Sequence, residues 1–337
     1  KNNIIRINED NISDAISLRT GIPMKVVLQS ESQKILNLPM QLSKSIFGQN
    51  EAIKSISNSI MRARTGLKSE DRPIGIFLFL GPTGVGKTEL VKVLAKSFYS
   101  TKKSLIKIDM SEFSENFSIS RLIGSPPGYI GYEEGGELTE KVRNNPFSII
   151  LLDEIEKAHN DLYNLMLQVF DEGVLTDSMG RIVDFSNTII IMTSNLGSKF
   201  KQNKNLGFFD NSNENKDEIL KDVSEVFSPE FLNRIDEKII FNNLNEKDIY
   251  KIIDFQIKDL KERLNQMNIN LKVTIKAKRI IAKLGFDENN GARPLKRKIQ
   301  NLIENKISEL ILENTLKSGM TIEFGSINGK LNSKVLK

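Results

Sequence analysis

Short apolar runs alternate along the chain with stretches of helical periodicity. Residues 1–72 are polar and helical in pattern, broken at Gly21-Ile22-Pro23, and a helix is predicted from about Gln49 to Leu67. Ile74–Leu80 is an apolar run closed by glycine, and its length and composition predict a buried strand. Lys87–Phe98 then carries Leu90, Val91, Leu94 and Phe98 at helical spacing. Further apolar strands are predicted at Leu105–Ile108, Ser148–Leu152, Thr188–Met192 and Lys238–Phe241, with helical stretches between them. Strands that alternate with helices imply a parallel sheet covered on both faces.

The pattern changes after Asn243. Glu246–Met267 reads as a long amphipathic helix with Ile249, Ile252, Ile253, Ile257, Leu260 and Leu264 on one face. A strand at Leu271–Ile275, two helices and a final strand at Thr321–Phe324 complete a small α+β unit. The predicted organisation is therefore a linker or N-terminal extension over residues 1–45, a large α/β domain over 46–243 and a small α+β domain over 244–337. Lys199–Lys216 is Lys/Asn/Ser-rich without periodicity and is expected to be a mobile loop.

Composition narrows the chemistry. A chain of 337 residues is long for one core, which agrees with a large and a small domain. Hydrophobic residues make up 39% and charged residues 27%, ordinary for a globular protein in water. No run approaches the roughly eighteen apolar residues of a membrane-spanning helix, and the start has no apolar secretory core. The chain begins with Lys1 inside what reads as structured sequence, so a piece of a longer protein is expected. Cysteine is absent, which excludes disulfides, thiolate metal sites and cysteine nucleophiles. One histidine, His159, leaves no room for a multi-histidine metal site and is read as a structural helix residue. Catalysis must come from carboxylates, amides, cations and backbone. The net charge of +5 is spread over 48 basic and 43 acidic residues, which is not a nucleic-acid stripe. Abundant Lys, Asn and Ile fit an AT-rich genome, and the expected compartment is cytoplasm or organelle stroma of plastid type.

Gly81-Pro82-Thr83-Gly84-Val85-Gly86-Lys87-Thr88 fits GxxxxGK[ST], between a predicted strand and a predicted helix as its mechanism requires. The glycines let backbone N–H groups curl round phosphates, and the helix N-terminus adds its dipole. Lys87 would supply a point charge to the terminal phosphates of ATP, and the Thr88 hydroxyl is placed for Mg²⁺. The bland alternative is a chance glycine-rich turn. Further on, Ile149-Ile150-Leu151-Leu152-Asp153-Glu154 is an apolar strand with two carboxylates at its C-terminal edge, where open sheets bind ligands. Asp153 would hold the Mg²⁺ hydration shell, and Glu154 would orient and deprotonate the attacking water. A lone Asp-Glu pair is usually a solvated loop, but behind an intact phosphate loop it reads as hydrolysis machinery.

From about residue 16 to 325 the chain resembles the second nucleotide-binding domain of the Clp/heat-shock AAA+ unfoldases. The matching strings are RPIGIFLFLGPTGVGKTELVK, IDMSEF, SPPGYIGYEEGG, ILLDEIEKAH, DFSNTIIIMTSNLG, SPEFLNRIDE and GARPLKR. The resemblance implies an AAA+ P-loop NTPase fold, with a parallel sheet flanked by helices and a small α+β C-terminal lid. It implies ATP-driven unfolding of proteins threaded through the pore of a homo-oligomeric ring, a hexamer in this family, with no nucleic-acid or membrane partner. By the same resemblance Asn195 matches the first sensor, Arg234 the arginine finger that reaches a neighbouring subunit's ATP, and Arg293 the second sensor. A planar cation suits the last two because charge spreads over the phosphoryl oxygens in the transition state; without the resemblance each would read as a surface salt bridge. Ile46, Phe47 and Gly48 match the segment lining the adenine pocket.

Gly128-Tyr129-Ile130-Gly131 matches the substrate-gripping pore loop of that family. An aromatic ring on a glycine-hinged loop can wedge against passing side chains of any sequence. The alternative, Tyr129 packed in a core, is opposed by the flanking glycines and Pro126-Pro127. Leu206-Gly207-Phe208 resembles the docking loops of members coupled to a ClpP-type peptidase, closest to the ClpC type, with ClpB-type disaggregases next. An apolar triplet in a polar loop is an unfavourable exposure unless it docks, although Phe208 could instead fold back onto its own domain. Other function classes share this fold and phosphate chemistry. A nucleic-acid motor would need a basic footprint, for which Arg293–Lys298 is the only candidate, and an inactive ATP-binding scaffold is opposed by intact Glu154, Asn195 and Arg234.

Overall fold

The computed structural model describes residues 11–12, 15, 31–65, 71–99, 104–115, 119–126, 128–129, 135–196, 212–287 and 290–336. The chain divides into two units. The first holds Lys1–Lys44, Asn50–Gly81 and Lys87–Phe241; the second holds Ser45–Gln49, Pro82–Gly86 and Asn242–Lys337.

Strands of the first unit are β1 (Gly75–Leu80), β2 (Leu105–Asp109), β3 (Ile149–Asp153), the short β4 (Val174–Thr176) and β5 (Ile182–Asp184), β6 (Ile189–Ser194) and β7 (Glu237–Ile240). Five of them form one sheet in the order β2-β3-β6-β1-β7, and every pairing is parallel. β1, β3 and β6 are buried at every position. Their unbroken apolar runs are what a strand covered on both faces requires. Successive side chains divide between the faces. Ile76, Leu78 and Leu80 join Ile150, Leu152, Ile190 and Met192 in one cluster, against Leu162, Met166, Val169 and Phe170. Those last four come from the helix Asn160–Glu172. On the other face Phe79 packs against Phe241, ring centres 5.0 Å apart. Each such side chain removed from water stabilises the fold by about 1.5–3 kcal/mol.

The helix Lys87–Phe98 runs over the predicted residues and buries Leu90, Val91, Leu94 and Phe98. The helix predicted to reach Leu67 spans Asn50–Arg64. His159, expected inside a helix, instead caps one: its Nδ1 accepts from the Asp161 N–H at the start of Asn160–Glu172. The expected loop Lys199–Lys216 lies outside the described residues up to 211, and its end opens the helix Ser212–Val226. The antiparallel hairpin β4–β5 was not foreseen, since strands of three residues leave no legible period.

The second unit is built on the helix Glu246–Gln266. Asn245 and Asp248 close its N-terminus with a capping box, and Ile249, Ile253, Ile257, Leu260 and Leu264 are buried. β8 (Asn270–Val273) pairs in parallel with β9 (Thr321–Ile327), which pairs antiparallel with β10 (Lys330–Leu336). The strand predicted to Ile275 ends early because the Thr274 side chain accepts from the Ala277 N–H and starts the helix Ile275–Gly285. β9 is not the last strand. Asn328 and Gly329, at φ 49° and 74°, make the tight turn into β10, a hairpin signal the sequence carries as Asn-Gly. No described helix is long and apolar enough to cross a membrane.

Candidate active site

The C-terminal ends of β1, β3 and β6 carry the charged and amide side chains, because a residue just past a buried strand end is the first free of the core. β1 runs into Gly81, and the helix that follows starts at Lys87. Lys87 is only 8% exposed, and its ammonium donates to Gly81 O at 2.5 Å and to Asn195 Oδ1 at 2.9 Å. Asn195, one residue beyond β6, turns its amide nitrogen to Glu154 Oε1 at 3.5 Å and donates its backbone N–H to Glu156 Oε1 at 3.0 Å. A fixed amide thus stands between the lysine and the carboxylate that follows β3.

Asp153 ends β3 and is buried. Its carboxylate accepts from Thr193 Oγ1 at 2.5 Å and pairs with Lys107 at 2.8 Å. Glu154 sits in the left-handed region, φ 59° and ψ 50°. Its N–H donates to Thr193 Oγ1 at 3.2 Å, and its carboxylate pairs with Lys157. That hydrogen bond with Glu154 raises the Lys157 pKa. Asp109, paired with Asp153 in the β2–β3 register, is held below the usual carboxylate range by the Ser111 hydroxyl and N–H.

Gly86 has φ +111°, and a Cβ placed there would meet nothing within 4 Å. The loop is therefore open beside Gly86, which leaves room for a phosphate chain to approach the start of the helix. Thr88, partly buried in the first turn of its helix, and Asp153 are hard oxygen donors of the kind Mg²⁺ takes. Among the described residues no cluster of three or more His, Cys, Asp or Glu could cage a metal. A Mg²⁺ here would share its shell with phosphate and water, the usual state of that ion beside nucleotides.

In the second unit Ile46 is buried and Phe47 meets Phe255 edge-on, ring centres 6.0 Å apart. Gln49 follows, 1% exposed. Its side-chain nitrogen donates to Val85 O at 3.3 Å and Asn242 O at 2.8 Å, and its oxygen accepts from the Asn242 N–H at 3.0 Å. Pro82, Thr83 and Gly84 are partly exposed while Val85 is buried. A Cβ on Gly84 would lie 2.1 Å from Asn290 O, so only glycine allows that approach. The Ala292 N–H donates to Gly84 O at 3.1 Å, and Arg293, next along the chain, is exposed with its own N–H bonded to Asn290 O.

Arg234 takes no part in the Lys87–Asn195–Glu154 network. Its guanidinium is bound by Asp171 at 2.6 Å, with Glu230 at 3.9 Å, and the Asp171 hydrogen bond raises its pKa. Arg72 bridges the carbonyl oxygens of Phe170 and Arg234. Tyr129 is 71% exposed beside Gly128 at φ +91°, so its ring is not in a core. Ile130, Gly131, Leu206, Gly207 and Phe208 lie outside the described residues. Sequence reading overlooked Thr193, Glu156 and Lys107 in the first unit and Gln49 in the second. Their signal is burial of a polar group or a bond across strands, and no local pattern carries it.

Comparison with known proteins gives the family. Residues 72–238 match the family of the AAA domain (Cdc48 subfamily), and residues 244–324 match the family of the C-terminal, D2-small domain of ClpB protein. The chain is 49% identical over 327 residues to the chaperone protein ClpB of Clostridium perfringens, covering 96% of this chain and 37% of that one. To the ATP-dependent Clp protease ATP-binding subunit ClpC of Staphylococcus epidermidis it is 49% identical over 313 residues, covering 91% of this chain and 38% of that one. To the chaperone protein ClpB of Rickettsia typhi it is 48% identical over 330 residues, covering 98% and 38%. The chain thus spans less than two fifths of these relatives, and ClpB and ClpC types are equally near, without the lean toward ClpC that the sequence suggested. With its five-stranded parallel sheet and its small C-terminal unit, the chain belongs to the ClpB/ClpC family of Clp ATPases, as their second (D2) AAA+ ATPase domain.

Proposed function

We propose that this chain is the ATP-hydrolysing D2 module of a ring-forming protein unfoldase that threads polypeptides through a central pore. The observation that carries this reading is the network joining Lys87, Asn195 and Glu154 at the C-terminal edge of the sheet. Gly81–Thr88 wraps the phosphates and Lys87 neutralises them, while Thr88 and Asp153 would hold Mg²⁺, the latter through water. Bound there, Mg²⁺ supplies charge neutralisation of the phosphates. Glu154 accepts the proton of the attacking water, and Asn195 orients that water beside the terminal phosphate. Arg234 serves the ATP of the neighbouring subunit in a homohexamer, and Arg293 ties residues 244–337, acting as lid, to the nucleotide bound by residues 46–243. Ile46 and Phe47 line the adenine site. Tyr129 grips substrate, a role its exposure supports.

The finer reading is delivery to a ClpP-type peptidase in an intracellular compartment of plastid type, with Leu206-Gly207-Phe208 as the dock. The ClpC relative is a protease ATP-binding subunit, which supports it; the ClpB relatives support a stand-alone disaggregase to the same degree. Burial of one Leu and one Phe yields a few kcal/mol per loop, at about 1.5–3 kcal/mol per side chain, and a ring of loops adds avidity. The full-length protein, purified and given a tagged folded substrate, ATP and a barrel peptidase, should unfold and degrade it. Deletion of residues 206–208 should leave ATP turnover and unfolding in place and eliminate degradation. Undiminished degradation by that variant removes the dock, and refolding of aggregates without any peptidase selects the disaggregase.

A further inference from the structure

We propose that Thr193 is a positioning residue for hydrolysis: its buried hydroxyl ties the Asp153 carboxylate to the backbone of Glu154 and holds the two acids in fixed relation. The inference rests on the hydrolytic reading of Asp153 and Glu154. β3 and β6 run in register from Ile149 beside Ile189 to Leu152 beside Met192, and the ladder stops there. At the next position the link passes through a side chain. Thr193, 2% exposed, donates its only hydroxyl proton to Asp153 Oδ1 at 2.5 Å, and its oxygen accepts the Glu154 N–H at 3.2 Å. A hydroxyl donor to a carboxylate makes a short, charge-assisted bond, so both the group and its direction are specified.

The backbone of Glu154 says what that bond resists. The non-glycine residues at positive φ among the described residues are Glu154, Asn268, Asn314 and Asn328. Asparagine visits that region readily; a glutamate does so only where its surroundings impose it. The Thr193 oxygen is one such constraint, and the Asn195 amide and Lys157 ammonium hold the other end of the same residue. The hydroxyl is otherwise out of place. β6 reads Ile-Ile-Ile-Met-Thr-Ser and is buried throughout, so an isosteric valine would suit the strand better, since a buried hydroxyl is costly unless bonded.

Thr193→Val keeps the shape and removes the hydroxyl; Thr193→Ser keeps the hydroxyl and removes a methyl. In the full-length protein without nucleotide, hydrogen exchange at the Glu154 amide should quicken about tenfold in Thr193→Val, as expected for one lost bond, and stay at the wild-type rate in Thr193→Ser. With ATP and Mg²⁺, kcat should fall about 100-fold in Thr193→Val, the scale of a misplaced catalytic group. Serine should restore it, and nucleotide affinity should hold in both. Should the valine variant fold poorly, Thr193→Ala, which removes hydroxyl and methyl together, is compared with Thr193→Ser, which removes the methyl alone; the difference between them then reads the hydroxyl. Wild-type exchange and turnover in a hydroxyl-free variant would overturn the proposal, as would equal losses in the valine and serine variants. Glu154→Gln run beside them separates the two levels: if that variant turns over ATP normally, the hydrolytic reading itself fails, whatever Thr193 does.

Discussion

A carboxylate can take a proton from water only if it is held near the water and left able to accept. Asn195 and the backbone bond to Thr193 hold Glu154, and glutamine in its place would keep the shape without the basicity. Glu154→Gln should therefore bind ATP with wild-type affinity and nearly lose turnover. Lys87→Ala should weaken binding itself, because a buried cation on the phosphate loop acts before any chemistry. Nucleotide titration and phosphate release measured on both variants check this; turnover near wild type in Glu154→Gln would remove the residue from the base role. At this scale the sequence made Lys87, Asp153 and Glu154 legible because each sits at a fixed offset in a short string. Thr193 and Gln49 were not legible. Their bonds join a buried hydroxyl and a buried amide to residues as remote in sequence as Asp153 and Asn242.

Among elements, what could be read was set by burial. β1, β3 and β6 are apolar at nearly every position because helices cover both faces of the sheet, and a run of that kind stands out in any window. β10 alternates exposed and half-buried positions from Lys330 to Val335, so its composition resembles that of a surface loop. The segment of Tyr129 shows the opposite case: its prolines and glycines predicted an exposed loop, and the ring is exposed. Gly128 lies at φ +91° with open space where a Cβ would be, so the backbone there can reorient with little steric cost. Tyr129→Ala should then abolish ATP-driven unfolding of a tagged, stably folded protein while nucleotide affinity stays unchanged. Substrate fluorescence followed during ATP turnover measures it, and unfolding at the normal rate would return Tyr129 to a structural role.

At the scale of the whole molecule, the group proposed to act on a neighbouring copy, Arg234, is one its own network leaves aside. Arg234 is tied to Asp171 by its guanidinium and to Arg72 by its carbonyl oxygen, while Lys87, Asn195 and Glu154 are linked to one another. Arg72 also holds Phe170 O at 2.7 Å, so the backbone of Arg234 is fastened to the end of the helix Asn160–Glu172. A cation anchored in this way, with a pKa raised by its hydrogen bond to Asp171, stays charged at any pH the protein experiences. Its work on ATP would be done in a second copy of the chain, where charge spreads over the phosphoryl oxygens in the transition state. Arg234→Ala should cut turnover about 10³-fold or more, as loss of an arginine finger does, and leave each subunit folded. Mixing it with Glu154→Gln protein tests the direction of action. In such rings some interfaces pair an intact Glu154 from the Arg234→Ala subunit with an intact Arg234 from its neighbour, and those interfaces should hydrolyse ATP. Phosphate release plotted against mixing ratio should pass through a maximum between two nearly inactive ends. A flat plot, with mixed rings demonstrated by differently tagged subunits, would assign Arg234 to its own subunit's chemistry or to none.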